Sequence, residues 1–167
     1  MNISGYIKES IVDGQGLRAV VFVSGCYHNC FGCHSPQSHN KNYGEEFAES
    51  KKQEIINDIK ENPLLAGLTI SGGDGFFSAK EVIKFISKVK NEIPNINIWI
   101  YTGFTFEQLI SKKDSKYELL KMCDVVVEGK FEIEERDTTI KFAGSRNQRI
   151  LDVKESLKHR EARIFNA

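Results

Sequence analysis

Hydrophobic positions along the chain alternate between two periods. Arg18 to Val23 (RAVVFV) is a nearly continuous β-branched run, the pattern of a strand covered on both faces. Lys51 to Asn62 then carries Ile55, Ile56 and Ile59 at helical spacing and is stopped by Pro63. Gly67 to Ser71 (GLTIS) predicts a second short strand. Ser78, with Glu81 three residues on, forms a capping-box pattern, and the helix it opens has Val82, Phe85, Ile86 and Val89 on one face. Ile96 to Tyr101 (INIWIY) predicts a third strand. Thr105 with Gln108, and Ser115 with Glu118, offer two more helix starts before Met122. Asp124 to Glu128 (DVVVE) is a fourth strand and Gln148 to Val153 a fifth.

Strand and helix alternating at this spacing is the signature of βαβ units around a parallel sheet. Ligands of such sheets bind outside the carboxyl ends of the strands. The unusual residues fall there repeatedly. A cysteine-rich segment follows the first predicted strand, Gly72-Gly73-Asp74-Gly75 the second, Thr102-Gly103 the third and Gly129-Lys130 the fourth. Four such loops on one rim describe a single site.

Composition changes this picture little. With 167 residues and no repeat or linker, one domain over residues 1–167 is expected. Basic and acidic residues balance at 23 each, which argues against a broad electrostatic grip on nucleic acid or an anionic membrane. No apolar run approaches the roughly 20 residues that span a bilayer. The first residues (MNISGYIKES) lack a signal-peptide core, so a cytoplasmic location is expected.

Three of the four cysteines lie within Cys26-Tyr-His-Asn-Cys30-Phe-Gly-Cys33, and the fourth, Cys123, is remote. A disulfide framework spreads its cysteines to close long loops, so the tight group points to metal ligation. Thiolates hold iron–sulfur clusters, and a cubane with three protein ligands leaves one iron open. A zinc site of three Cys and one His, with His28 or His34, is the chemical alternative. Cys123, between Met122 and a valine run, reads as a small buried hydrophobe.

The Cys-x3-Cys-x2-Cys loop after a strand resembles the signature of the radical S-adenosylmethionine superfamily. Asp13-Gly14-Gln15-Gly16-Leu17-Arg18, then Gly25-Cys26, resembles the activating enzymes of glycyl-radical enzymes. His28 and Gly32 inside the loop, Trp99 to Gly103 (WIYTG) and Gly144 to Arg149 (GSRNQR) are similar to the branch acting on anaerobic ribonucleoside-triphosphate reductase. The resemblance runs from about Asp13 to Arg149.

It implies a [4Fe-4S] cluster on Cys26, Cys30 and Cys33, whose open iron chelates the methionine part of S-adenosyl-L-methionine. One-electron reduction then releases a 5′-deoxyadenosyl radical that takes hydrogen from a glycine of the reductase. The electron would come from a flavodoxin- or ferredoxin-type donor. An activase of another glycyl-radical enzyme, such as pyruvate formate-lyase, is the near alternative. A non-catalytic zinc or iron–sulfur binding module is the distant one. Through the resemblance, Gly32, Cys33 and His34 fall beside the cofactor, and Gly72, Gly73 and Asp74 stand where the family has Gly-Gly-Glu. Asp74 is expected to face the cofactor's ammonium, or else to serve a strand-to-helix turn. Gly75 replaces the family's usual Pro. Glu128 and Lys130 resemble an acid–lysine pair near the cofactor, the acid being otherwise a solvated strand end. Tyr101 and Thr102 are either the adenosine side of the site or a half-buried strand end. The fold implied is α/β, a curved and mainly parallel sheet resembling a partial TIM-type barrel, too short to close.

Overall fold

A computed structural model describes residues 1–166. Seven strands form one sheet: β1 (Asn2–Ser10), β2 (Leu17–Val23), β3 (Glu45–Glu46), β4 (Leu65–Gly72), β5 (Asn97–Tyr101), β6 (Val125–Glu128) and β7 (Arg149–Asp152), in the order β3-β1-β2-β4-β5-β6-β7. The helices are α1 (Glu49–Glu61), α2 (Ala79–Glu92), α3 (Phe106–Ile110), α4 (Ser115–Lys121) and α5 (Val153–His159).

The four central strands, β2, β4, β5 and β6, pair in parallel. β1 pairs antiparallel with β2 and β3, and β7 with β6. The sheet is therefore mixed rather than mainly parallel, and it does not close; its antiparallel margins depart from the all-parallel ring of a TIM-type barrel. Connection length explains the margin formed by β1. Residues 11–16 are too few for a crossover, so β1 must turn back onto β2. β1 itself (NISGYIKES) escaped the sequence pattern because few of its residues are apolar and only Ile3 and Ser10 are buried.

Alternation along the strands splits the core. Ala19, Val21, Leu68, Ile70, Ile98, Ile100 and Val126 face α1 and α2, meeting Ile55, Ile56, Val82, Phe85 and Ile86. Trp99, Val125 and Val127 point the other way, under Phe142, Ile150 and Phe165. Helices thus cover one face and irregular segments the other, which leaves the second face open enough to hold a site.

Helix starts follow local chemistry with two corrections. The Thr105–Gln108 capping box opens α3 as expected. The Ser78–Glu81 box does not form: Ser78 makes no side-chain cap, a short 3-10 turn (Gly75–Ser78) precedes α2, and Glu81 instead meets the Met1 amino group at 2.7 Å. Asp114, not Ser115, caps α4.

Candidate functional site

The carboxyl ends of β2, β4, β5 and β6 feed one open cavity of about 820 Å³. Its wall takes Cys26, Cys30, Cys33 and His34 after β2, Ser71 to Asp74 from the end of β4 onward, Tyr101 to Gly103 from the end of β5 onward, and Gly129 with Phe131 after β6. Each group sits there because a strand ends beneath it, and the parallel registers of β2, β4 and β5 level those ends. Sequence reasoning missed two contributors. Ile11 to Asp13, from the β1–β2 connection, line the cavity, as do Thr138 and residues 140–144. Asp13 opens the Asp13–Arg18 motif; residues 138–143 carried no signal beyond their position between strands.

The three cysteines are free and partly exposed. Burial pushes the Cys26 thiol up to about 11. A coordinating metal deprotonates a thiol outright, so this shift is no obstacle to ligation. Among the described residues, no three His, Cys, Asp or Glu side chains form a group suited to one metal ion. A cubane makes a different demand, one thiolate per corner iron, and soft thiolates on one wall of a roomy cavity suit it. Cys123 lies elsewhere, 5% exposed, its Sγ–H donating to the Leu119 carbonyl at 3.3 Å while burial raises its pKa.

The glycine loop approaches backbone closely. A Cβ on Gly73 would stand 2.7 Å from the Gly25 carbonyl oxygen and 3.0 Å from that of Ser38. The Gly73 N–H donates to Val23 and the Asp74 N–H to Gly25, which stitches this loop to the base of the cysteine loop. The Asp74 carboxylate is 2% exposed and has partners on both oxygens. Its Oδ1 accepts from the Phe76 N–H at 3.0 Å; its Oδ2 accepts from Thr102 Oγ1 at 2.7 Å and Gly103 N–H at 2.9 Å, and lies 2.7 Å from His28 Nε2. Gly32 is exposed at a φ of 76°, where a Cβ would press within 3.0 Å of Ile133. His34 is exposed with its ring 6.3 Å from that of Phe131.

Glu128 and Lys130 line an adjoining hollow of about 450 Å³ that shares Gly103 and Gly129 with the main cavity. Glu128 is 1% exposed, not a solvated strand end. It accepts from Arg149 Nε and Nη2, each at 2.8 Å, and from the Phe106 N–H at the start of α3. Bonds to Glu128 and then Glu107 hold the Arg149 guanidinium above its ordinary range. Lys130 is exposed. The GSRNQR stretch clamps this region. Asn147 Nδ2 donates to the Lys130 carbonyl and Gln148 Nε2 to that of Gly129, while Gln148 Oε1 accepts from Gly144 and Ser145. Arg146 pairs with Glu135 at 3.0 Å.

A family model described as a 4Fe-4S single cluster domain matches residues 12–151, spanning the cysteine loop, the glycine loop and the clamp. The chain belongs to this family of single-cluster iron–sulfur proteins. Within it the chain is 35% identical over 151 residues to a Haemophilus influenzae protein and 37% identical over 151 residues to one from Vibrio cholerae, each match covering 89% of this chain and 96% of the relative. A Pasteurella multocida protein is 36% identical over 152 residues, covering 89% of this chain and 95% of the relative. All three are named anaerobic ribonucleoside-triphosphate reductase-activating protein, and the chain is a member of that group.

Proposed function

We propose that this chain is a radical S-adenosylmethionine activase that installs a glycyl radical on an anaerobic ribonucleoside-triphosphate reductase. The observation that carries it is the meeting of three free thiols, a glycine loop and the Thr102–Gly103 turn on one cavity, in a chain of this family. Cys26, Cys30 and Cys33 would hold a [4Fe-4S] cluster. Once bound, the cluster supplies one electron, drawn from a flavodoxin- or ferredoxin-type donor, that splits S-adenosyl-L-methionine into methionine and a 5′-deoxyadenosyl radical able to take a hydrogen atom from a glycine Cα.

The chain's own part is binding, orientation and exclusion of water. Gly72 and Gly73 let backbone come close to a ligand, and Tyr101, Phe131 and Phe142 give the cavity apolar walls. The mouth stays open on one side, and a reactive carbon radical needs a dry chamber. A protein substrate supplies the missing wall. Ile11 and Val12 (72% and 69% exposed) line the cavity from the β1–β2 connection, and Phe31 (84%) and Tyr27 are exposed on the cysteine loop whose thiols line it. Large exposed apolar groups gathered at one opening mark a protein-docking surface.

Anaerobically reconstituted protein, incubated with S-adenosyl-L-methionine and a reductant, should yield 5′-deoxyadenosine. Addition of the reductase should produce a glycyl doublet in electron paramagnetic resonance. A doublet on pyruvate formate-lyase and none on the reductase would move the assignment to the lyase. Colourless protein with stoichiometric zinc would end it in favour of a binding module.

A further inference from the structure

His28 belongs to the cysteine loop, between Cys26 and Cys30, yet its side chain turns inward and is only 6% exposed. Its ring lies between Phe77 and Phe104, centroids at 4.9 and 4.6 Å, over Gly103, where a Cβ would come within 2.5 Å of the ring. Its Nε2 reaches Asp74 Oδ2 at 2.7 Å. The same oxygen accepts from Thr102 Oγ1 and the Gly103 N–H. One carboxylate oxygen therefore ties together the loops after β2, β4 and β5. The Gly103 and Phe76 N–H groups can only donate, so both Asp74 oxygens accept, and a proton on His28 Nε2 would complete the set.

We propose that His28 and Asp74 form a clasp that holds the cysteine loop in shape for its ligands before any cluster is bound. Asp74 is then a positioning residue that acts through His28. The consequence for cluster binding rests on the function proposed above. Three thiolates must be presented together, and loop order already in place lowers the entropic cost of presenting them. Asp74 Oδ2 is taken up by three internal partners and Oδ1 accepts from the Phe76 N–H alone, so a bond to the cofactor's ammonium would fall to the second lone pair of Oδ1 or to loop backbone.

The test separates hydrogen bond from packing. His28→Phe keeps a ring between Phe77 and Phe104 but loses the donor; Asp74→Asn keeps the shape but loses the charge; His28→Gln restores an N–H donor of similar reach. In cluster-free full-length protein, amide hydrogen exchange over residues 26–33 should rise about tenfold in His28→Phe and in Asp74→Asn, the scale of one lost charge-assisted bond. Exchange at Ile70, Ile98 and Ile100 should not change. The double variant should match either single one, and His28→Gln should recover most of the protection. After reconstitution, a chelator should strip iron about tenfold faster from both disrupting variants. Wild-type exchange over 26–33 in either disrupting variant, or effects that add in the double, would overturn the clasp. So would Asp74→Asn protein with normal exchange and weakened S-adenosyl-L-methionine binding, which would make Asp74 a direct cofactor contact. Because exchange is read without a cluster, a wild-type chain that takes up no iron would sink the proposed function while exchange alone decides the clasp.

Discussion

Cys26 and Cys123 carry the same group in opposite surroundings. Cys26 is partly exposed on the wall of an open cavity with two further thiols on that wall, whereas Cys123 is sealed between α4 and β6 with a carbonyl for company. A ligand must meet its ion, so the environment separates the two roles. Changing Cys26, Cys30 or Cys33 to Ala should each sharply lower the iron bound after anaerobic reconstitution. Cys123→Ala should leave iron content intact and cost about 1–2 kcal/mol in urea unfolding, through the small cavity and the lost Sγ–H donor. Iron lost from Cys123→Ala alone would mean that the ligand set is wrong. The residues that sequence left without a role, Arg146, Asn147 and Gln148, became legible only from their partners. Two of these partners are backbone carbonyls at Gly129 and Lys130, which no side-chain pattern announces.

At the scale of elements, Arg18 at the start of β2 is 1% exposed, a charge in the core. Its guanidinium donates to Thr69 Oγ1, to the carbonyls of Gln15, Leu68 and Asn97 and to Asn97 Oδ1, and lies 5.4 Å from the Trp99 ring. Burial lowers its pKa to about 10, so it remains protonated at neutral pH. It joins β2, β4 and β5 and draws the 11–16 connection onto the non-helical face. Arg18→Met should cost about 2–4 kcal/mol, because several buried acceptors lose their donor at once. The drop is read from the urea midpoint, and Arg18→Lys should recover only part of it, having no planar fork. The turn into α2 invites the opposite change. Asp74 is extended (φ −140°, ψ 110°), as a residue before proline must be, and a Cβ on Gly75 would meet side chains no closer than 3.4 Å. Gly75→Pro should raise stability by about 0.4–1 kcal/mol, seen as a modest rise in Tm. A fall in Tm would mean that the glycine is required.

Across the whole molecule, the helices shield one face of the sheet and leave the other to loops, so the cavity opens where a partner can reach it. The apolar groups around its mouth are costly on a free surface and useful under a lid. Phe31→Ser combined with Ile11→Ser should raise the reductase concentration needed for half-maximal glycyl-radical formation by about tenfold or more, since large exposed anchors dominate docking. Iron content serves as the control for loop integrity. An unchanged concentration dependence would place the docking surface elsewhere. Among the described residues no helix is long and apolar enough to cross a membrane.

Much of this was open to sequence. Strands β2, β4, β5 and β6, the two long helices and the close-set thiols are periodicities and spacings, properties of residues that are near neighbours in the chain. The arrival of four loops at one rim also followed, because consecutive parallel strands necessarily end on the same side. Folding had to supply the remainder. β1 is a strand because β2 offers it a hydrogen-bonding edge, not because its own pattern is apolar. Asp74 resembled a residue that meets a ligand, and in space it also has four hydrogen-bond partners within the chain, at residues 28, 76, 102 and 103. Three of those lie 28 to 46 positions away along the chain, and they meet only because the register of β2, β4 and β5 sets three strand ends side by side. Residue type and spacing announce a site's chemistry, but whether a buried charge is free or spent depends on contacts that exist only once the sheet has formed.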